Sequence, residues 1–262
     1  MSQNEAMTTL LAGRKALVTG ASRRLGRAMA IALARHGATP ALHFRGDASG
    51  AEETAAVIAK LGTRAPTVSG DLADADQCTA LVGAAHDALG GLDILINNAG
   101  IYASLEMRPF DKIPVDEWRK VMDINVLSMF LTCRAIVPIM REQGGGKIVN
   151  ISSGTPFRGV PFLLHYVTSK GAVVALTRSL AKELGADGIY VNCVAPGFTV
   201  SDGVKQHPEV LEVLAEVSVS ARTIKREQTS EDVVGAAVFL CGDGADFITG
   251  QTMVIDGGQY FH

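Results

Sequence analysis

Tyr166 and Lys170 stand four residues apart, and on a helix that spacing puts both side chains on one face. A phenol that exchanges a proton with an alcohol or carbonyl oxygen needs help, because it ordinarily titrates near ~10. A nearby ammonium favours the phenolate and lowers that value. Taken alone, such a pair is usually two neighbours on a helix surface. Ser153 changes the reading. It follows the apolar run Lys147–Ile151 and precedes Tyr166 by thirteen residues, so its hydroxyl could bond the same substrate oxygen and stabilise charge developing there. Ser152, beside it, would then be a strand-end cap.

These side chains need a frame, and the chain alternates short apolar runs with helical stretches. Strands are predicted over Lys15–Thr19, Pro40–Phe44, Ala65–Ser69, Asp93–Ile96, Lys147–Ile151, Ile189–Val194 and Met253–Ile255. Helices are predicted over Leu25–Arg35, Ala51–Leu61, a segment ending at Gly90-Gly91, Val115–Arg141, Tyr166–Leu184 and Glu231–Leu240. Strands that are apolar throughout, linked by helices, argue for one doubly wound parallel sheet with helices on both faces, an α/β fold of the Rossmann kind. No linker or composition shift divides the chain, so residues 1–262 are expected to form one domain. The polar, irregular stretch 198–228 exceeds ordinary loop lengths and is predicted to be a substrate lid.

Composition narrows the partners. Of 262 residues, 47% are hydrophobic and 19% charged, with 24 basic against 27 acidic for a net charge of −3. That balance favours neither nucleic acid nor an anionic membrane, and no apolar run approaches a ~20-residue span. The four cysteines, Cys78, Cys133, Cys193 and Cys241, form no cluster, so reduced thiols in a cytoplasmic protein are expected, without a metal site.

After the first strand comes Thr19-Gly20-Ala21-Ser22-Arg23-Arg24-Leu25-Gly26. A glycine turn between a strand and a helix aims backbone N–H groups at a pyrophosphate. NAD selectivity usually rests on a carboxylate at the end of the second strand. Phe44 stands there, followed by Arg45. Together with Arg23, Arg45 could grip a 2′-phosphate, which points to NADP; Asp47 keeps NAD as the less favoured alternative.

This turn resembles the TGxxxGxG fingerprint of the short-chain dehydrogenase/reductase family. The resemblance extends through Asp71, Asn97-Asn98-Ala99-Gly100, Asn125, Ser153, Tyr166-x-x-x-Lys170, Pro196-Gly197 and Asp256-Gly257-Gly258. It implies a catalytic set of Ser153, Tyr166, Lys170 and Asn125, the last holding a water that links Lys170 to solvent. It implies a cofactor held by Gly20, Ser22, Arg23, Arg24, Leu25, Gly26, Phe44 and Arg45, with Asp71 and Leu72 flanking the adenine. Asn97 would support the ribose side, with Asn98, Ala99 and Gly100 beside it. Tyr166, Lys170, Pro196, Gly197 and Thr199 would surround the nicotinamide end, Lys170 binding its ribose and Thr199 its carboxamide. Arg24 stands where the family usually has glycine. His165 is expected to be structural or at most a pocket residue.

Pocket walls are expected from Ile101, Tyr102, Phe157, Phe162, Leu163 and Phe198, largely apolar, with Arg158, Lys205 and His207 able to meet a negative group. The expected activity is therefore hydride transfer between NADP(H) and an alcohol or carbonyl carbon of a small or medium, largely apolar substrate. A 3-oxoacyl-thioester reductase and a non-catalytic NADP-binding protein are the alternatives. A sugar-nucleotide epimerase is disfavoured because too little chain follows the sixth strand for a substrate domain. The resemblance also implies a homotetramer built on the two long helices and the last strand.

Overall fold

The computed structural model describes residues 9–199 and 216–261. Seven strands form one sheet in the order β3-β2-β1-β4-β5-β6-β7, and every adjacent pair is parallel. They are β1 (Lys15–Val18), β2 (Thr39–Phe44), β3 (Thr67–Ser69), β4 (Ile94–Asn97), β5 (Gly146–Ile151), β6 (Ile189–Pro196) and β7 (Thr252–Ile255). The chain order reverses between β1 and β4, so the carboxyl ends of those strands open the crevice where such sheets bind ligands.

Helices cover both faces: α1 (Arg24–Arg35), α2 (Ala48–Ala59), α3 (Ala75–Leu89), α4 (Val115–Met122), α5 (Ser128–Glu142), the short α6 (Thr155–Arg158), α7 (Leu164–Leu184) and α8 (Glu231–Cys241). One buried cluster joins α1 and α8 to Val18, Ile96, Val149 and Val194. A second joins α3 and α5 to Leu17, Leu95, Ile148 and Val191 on the other face. Because both faces are covered, alternate residues of every central strand are apolar on each side.

Element ends follow local chemistry. α2 begins three residues earlier than predicted because the Asp47 carboxylate accepts from the Gly50 N–H at 3.1 Å and caps it. α3 stops at Gly90, which takes the left-handed conformation, φ 70°. The predicted strand 65–69 shortens to Thr67–Ser69; Pro66 has no N–H to give a ladder. The predicted helix Val115–Arg141 is interrupted by a π turn over Asp123–Leu127. The 28-residue stretch Val115–Glu142 is long and apolar enough on average to cross a membrane, but it is broken by charged residues and packs on α3 and α7.

Of the predicted lid, residues 200–215 lie outside the described residues, with Lys205 and His207 among them. Its described flanks are tied together. Thr199 bridges to Gln228, and buried Arg222 donates to the carbonyls of Phe198 and Arg226.

Candidate active site

The loops after β1, β4, β5 and β6 converge on one cavity of about 570 Å³. It runs from Arg24, Leu25, Asn98 and Gly100, past Ser153, Tyr166 and Lys170, to Phe162 and Tyr260.

At the β1 end, Gly20 adopts φ 65°, and a Cβ on Gly26 would fall 2.2 Å from the Gly20 carbonyl oxygen. Only glycine lets α1 close onto the turn. The first turn of α1 has no acidic residue and no side-chain cap, and the positive end of its helix dipole faces the turn and favours an anion. Those features suit a dinucleotide pyrophosphate. Arg24 carries φ 53°, a left-handed conformation that favours glycine. Thr19 stitches the two sides of the crevice, its Oγ1 accepting from the N–H groups of Asn98 and Ala99 at 2.9 and 3.0 Å. The Asn98 side chain donates back to the Thr19 carbonyl.

Two residues the sequence did not single out for a role also hold this turn. One is Thr19. The other is His43, a buried polar residue on β2 whose Nδ1 accepts from the Gly20 N–H at 3.1 Å while Nε2 reaches the Gly70 carbonyl at 3.1 Å. Burial pushes its pKa below the usual histidine value. A polar side chain inside a strand buried on both faces was the available signal.

Asn97 does not meet its expectation. It is 1% exposed, and its amide bonds Thr132 and Asn150 in the core at 2.7 and 3.0 Å. At the far end of the crevice, Arg45 pairs with Asp71 at 3.2 Å. Leu72 is buried beside them. Phe44 ends β2, and Asp47 is occupied as the α2 cap.

β5 delivers the serines and α7 the tyrosine and lysine. The Ser152 hydroxyl donates to the Lys170 carbonyl at 2.7 Å, whereas Ser153 Oγ accepts from the Thr155 N–H at 3.2 Å and lines the cavity with Tyr166. Lys170 Nζ donates to the Ile151 carbonyl at 2.8 Å and lies 5.9 Å from the centre of the Tyr166 ring. The pair therefore shares one face of α7, as its spacing requires. The electrostatics differ from expectation. Burial pushes the Tyr166 phenol above its ordinary value, the nearby Ser153 side chain opposing and Tyr102 adding to the rise. Lys170 is not among those influences, and burial brings its own pKa down to about 8. The protein's groups alone do not make the phenol acidic.

Asn125 occupies the π turn and is fully buried. Its Oδ1 accepts from the Ile101 N–H at 2.8 Å, and its Nδ2 donates to the Ile101 carbonyl and to Ser169 Oγ at 3.2 and 3.1 Å. Both amide hydrogens are spent within the protein, and the side chain clamps the loop after β4. His165 is wholly buried and contacts Glu117 at 3.2 Å, away from the cavity. Ile101, Tyr102, Phe162 and Phe198 line the cavity as expected, with Pro196, Gly197 and Thr199. Phe157 and Leu163 do not; Phe157 packs with Met129 and Val173. The four cysteines are free and buried, and no metal-binding cluster occurs among the described residues.

The fold, a parallel sheet with a glycine turn at its switch point and a Ser–Tyr–Lys set beside it, defines a nucleotide-dependent oxidoreductase. The family model described as enoyl-(acyl carrier protein) reductase matches residues 20–260, and the chain belongs to the short-chain dehydrogenase/reductase family. It is 37% identical to a 3-oxoacyl-[acyl-carrier-protein] reductase of Staphylococcus aureus, covering 94% of this chain and 98% of that one. It is 36% identical to a 3alpha-hydroxysteroid dehydrogenase of Mediterraneibacter gnavus, covering 96% and 98%. The structure of a candidate short-chain alcohol dehydrogenase from Sinorhizobium meliloti superposes with a TM-score of 0.90 at 37% identity, covering 96% and 98%. This chain is accordingly an oxidoreductase acting on CH–OH and C=O groups.

Proposed function

We propose that the protein is an NADP(H)-dependent dehydrogenase/reductase in which Tyr166 is the acid/base, Ser153 holds the substrate oxygen and Lys170 supports the phenol. The observation that carries this reading is the convergence of Ser153, Tyr166 and Lys170 on one cavity that also contains the β1 turn. When bound, the nicotinamide cofactor supplies or accepts the hydride and, oxidised, adds positive charge near the phenol. In the reductive direction Tyr166 gives its proton to the oxygen as the carbonyl carbon gains hydride, so C=O becomes CH–OH. In the oxidative direction Tyr166 takes that proton back. The Ser153 hydroxyl donates to the oxygen while negative charge builds on it. Lys170, held by the Ile151 carbonyl, is aimed at the ribose side of the site, and Asn125 fixes the loop that faces it.

NADP is favoured over NAD by Arg45 at the end of β2, where a carboxylate would repel a 2′-phosphate, and by Arg23 in the turn. Gly20, Ser22, Leu25 and Gly26 would cradle the pyrophosphate; Asp71 and Leu72 the adenine; Ala99, Gly100, Pro196, Gly197 and Thr199 the nicotinamide side. The whole chain is read as one catalytic domain of a cytoplasmic homotetramer with a small-molecule substrate. Half-exposed Leu127 and Phe130 on the long helix suit such an assembly, and light scattering on the purified protein would test it.

Tyr166→Phe is expected to keep NADPH affinity within a few-fold while lowering kcat by about 10²- to 10⁴-fold; an unchanged kcat would remove the tyrosine from its role. Reduction of a 3-oxoacyl thioester is a second reading, favoured by the 37% identity to the S. aureus reductase. Assaying acetoacetyl thioesters beside free ketones and alcohols separates the two.

A further inference from the structure

Among the described residues three cations line the cavity, and the cofactor reading accounts for two of them, Arg24 at the phosphate turn and Lys170 at the ribose. The third, Arg158, is left over. It ends the one-turn helix α6, five residues past Ser153, and its guanidinium lies over the Tyr260 ring at 5.3 Å. Among the described residues no aspartate or glutamate lines this cavity.

The wall beside Arg158 is built by the last turn of the chain. Asp256 is 3% exposed, and its carboxylate accepts from the N–H groups of Gly258, Gln259 and Tyr260 at 2.9, 3.1 and 3.1 Å. Gly257 and Gly258 both adopt positive φ, 72° and 73°, a path that other residues rarely take. The Asp256-Gly257-Gly258 motif thus folds the tail back and sets Gln259 and Tyr260 against the cavity. Among the described residues, Tyr260 Oη, Gln259 Nε2 and Thr155 Oγ1 are buried without a hydrogen-bond partner. Gln259 Nε2 can only donate, and both hydroxyls can. A guanidinium in the same cavity wall as buried donors unpaired among the described residues is chemistry that suits an oxygen-rich anion.

We propose that the substrate carries a carboxylate, seated on Arg158 beside Gln259 and Tyr260, in addition to the carbonyl or hydroxyl group that reacts at Tyr166. This rests on the cavity being the site of the reaction proposed above, and it narrows the substrates of that site to hydroxy and oxo acids.

Two kinds of measurement test it on the full chain. In the first, NADPH-dependent reduction of 4-formylbenzoate is compared with that of its methyl ester. The acid is expected to have the higher kcat/KM by about 10- to 100-fold, carried by KM. Arg158→Met should lower kcat/KM for the acid at least about ten-fold more than for the ester, and Arg158→Lys should restore much of the preference. In the second, benzoate and benzamide are titrated into the NADP-loaded protein by calorimetry, which needs no turnover. Benzoate should bind at least about ten-fold tighter, and Arg158→Met should erase the difference. Turnover of both aldehydes with equal kcat/KM, or benzoate binding no tighter than benzamide, overturns the proposal. Arg158-dependent benzoate binding without turnover of either aldehyde would instead overturn the reaction assigned to the cavity and leave the anion site standing.

Discussion

At the scale of single residues, strain and burial say what each position requires. Arg24 sits at φ 53°, where a Cβ costs about 1–2 kcal/mol. Arg24→Gly is therefore expected to be more stable than Arg24→Ala by about 1 kcal/mol in urea denaturation, a comparison in which both variants lose the guanidinium. Equal stabilities would show that the turn relaxes around any side chain. Lys170 carries the pH dependence. Burial brings its pKa down to about 8, so the ammonium is present below that pH and lost above it. Reductive kcat/KM is expected to fall as pH rises through about 8, and a flat profile to about pH 10 would detach the lysine from the reaction. Ser153, Tyr166 and Lys170 were legible because their spacing and their place after a strand are local facts. The direction of the tyrosine's shift was not, because burial is a property of the packed core. Asn97 and Asn98 were equally indistinct: successive residues at a strand end point opposite ways, and only pairing shows which one enters the core.

At the scale of elements, glycine divides into positions where space is full and positions where it is free. Gly26→Ala would drive a methyl group to 2.2 Å from the Gly20 carbonyl and 2.5 Å from the Asn98 amide. It should raise the NADPH Kd by more than about 100-fold, or leave the chain unfolded, as titration and circular dichroism would report. Gly83, inside α3, has open space around its missing Cβ, and Gly83→Ala should add about 0.5–1 kcal/mol. A destabilised Gly83→Ala would indicate a contact on that helix face that the folded chain alone does not make. The alternation of strand and helix was readable from hydrophobic runs. The π turn was not, although its one outward sign was there: an asparagine in a helical stretch otherwise rich in apolar residues. The partners of Asn125 lie in the Ile101 loop and on α7, both distant in sequence.

At the scale of the whole molecule, His43 joins the turn after β1 to the loop after β3. Its pKa is lowered by burial, so in acid the unfolded chain takes up a proton that the folded chain resists. That contribution to stability is whole at neutral pH and is lost as pH falls below about 6.5. His43→Asn should lose less stability between about pH 7 and about pH 5 than the parent, measured by urea midpoints; parallel losses would place the acid sensitivity elsewhere. The parallel, doubly wound sheet was readable, but what meets across it was not, since Gly20, His43 and Gly70 are brought together only by strand pairing. That pairing also sets a timetable. β1 takes β2 on one side and β4 on the other, and no strand is joined to its neighbour by a hairpin. During synthesis at about 5–20 residues per second, the amino-terminal three strands can dock while the inner edge of β1 waits several seconds for Ile94 to emerge. The nascent chain thus carries an open, apolar strand edge at the future centre of its sheet, and that edge is where a chaperone would be needed most.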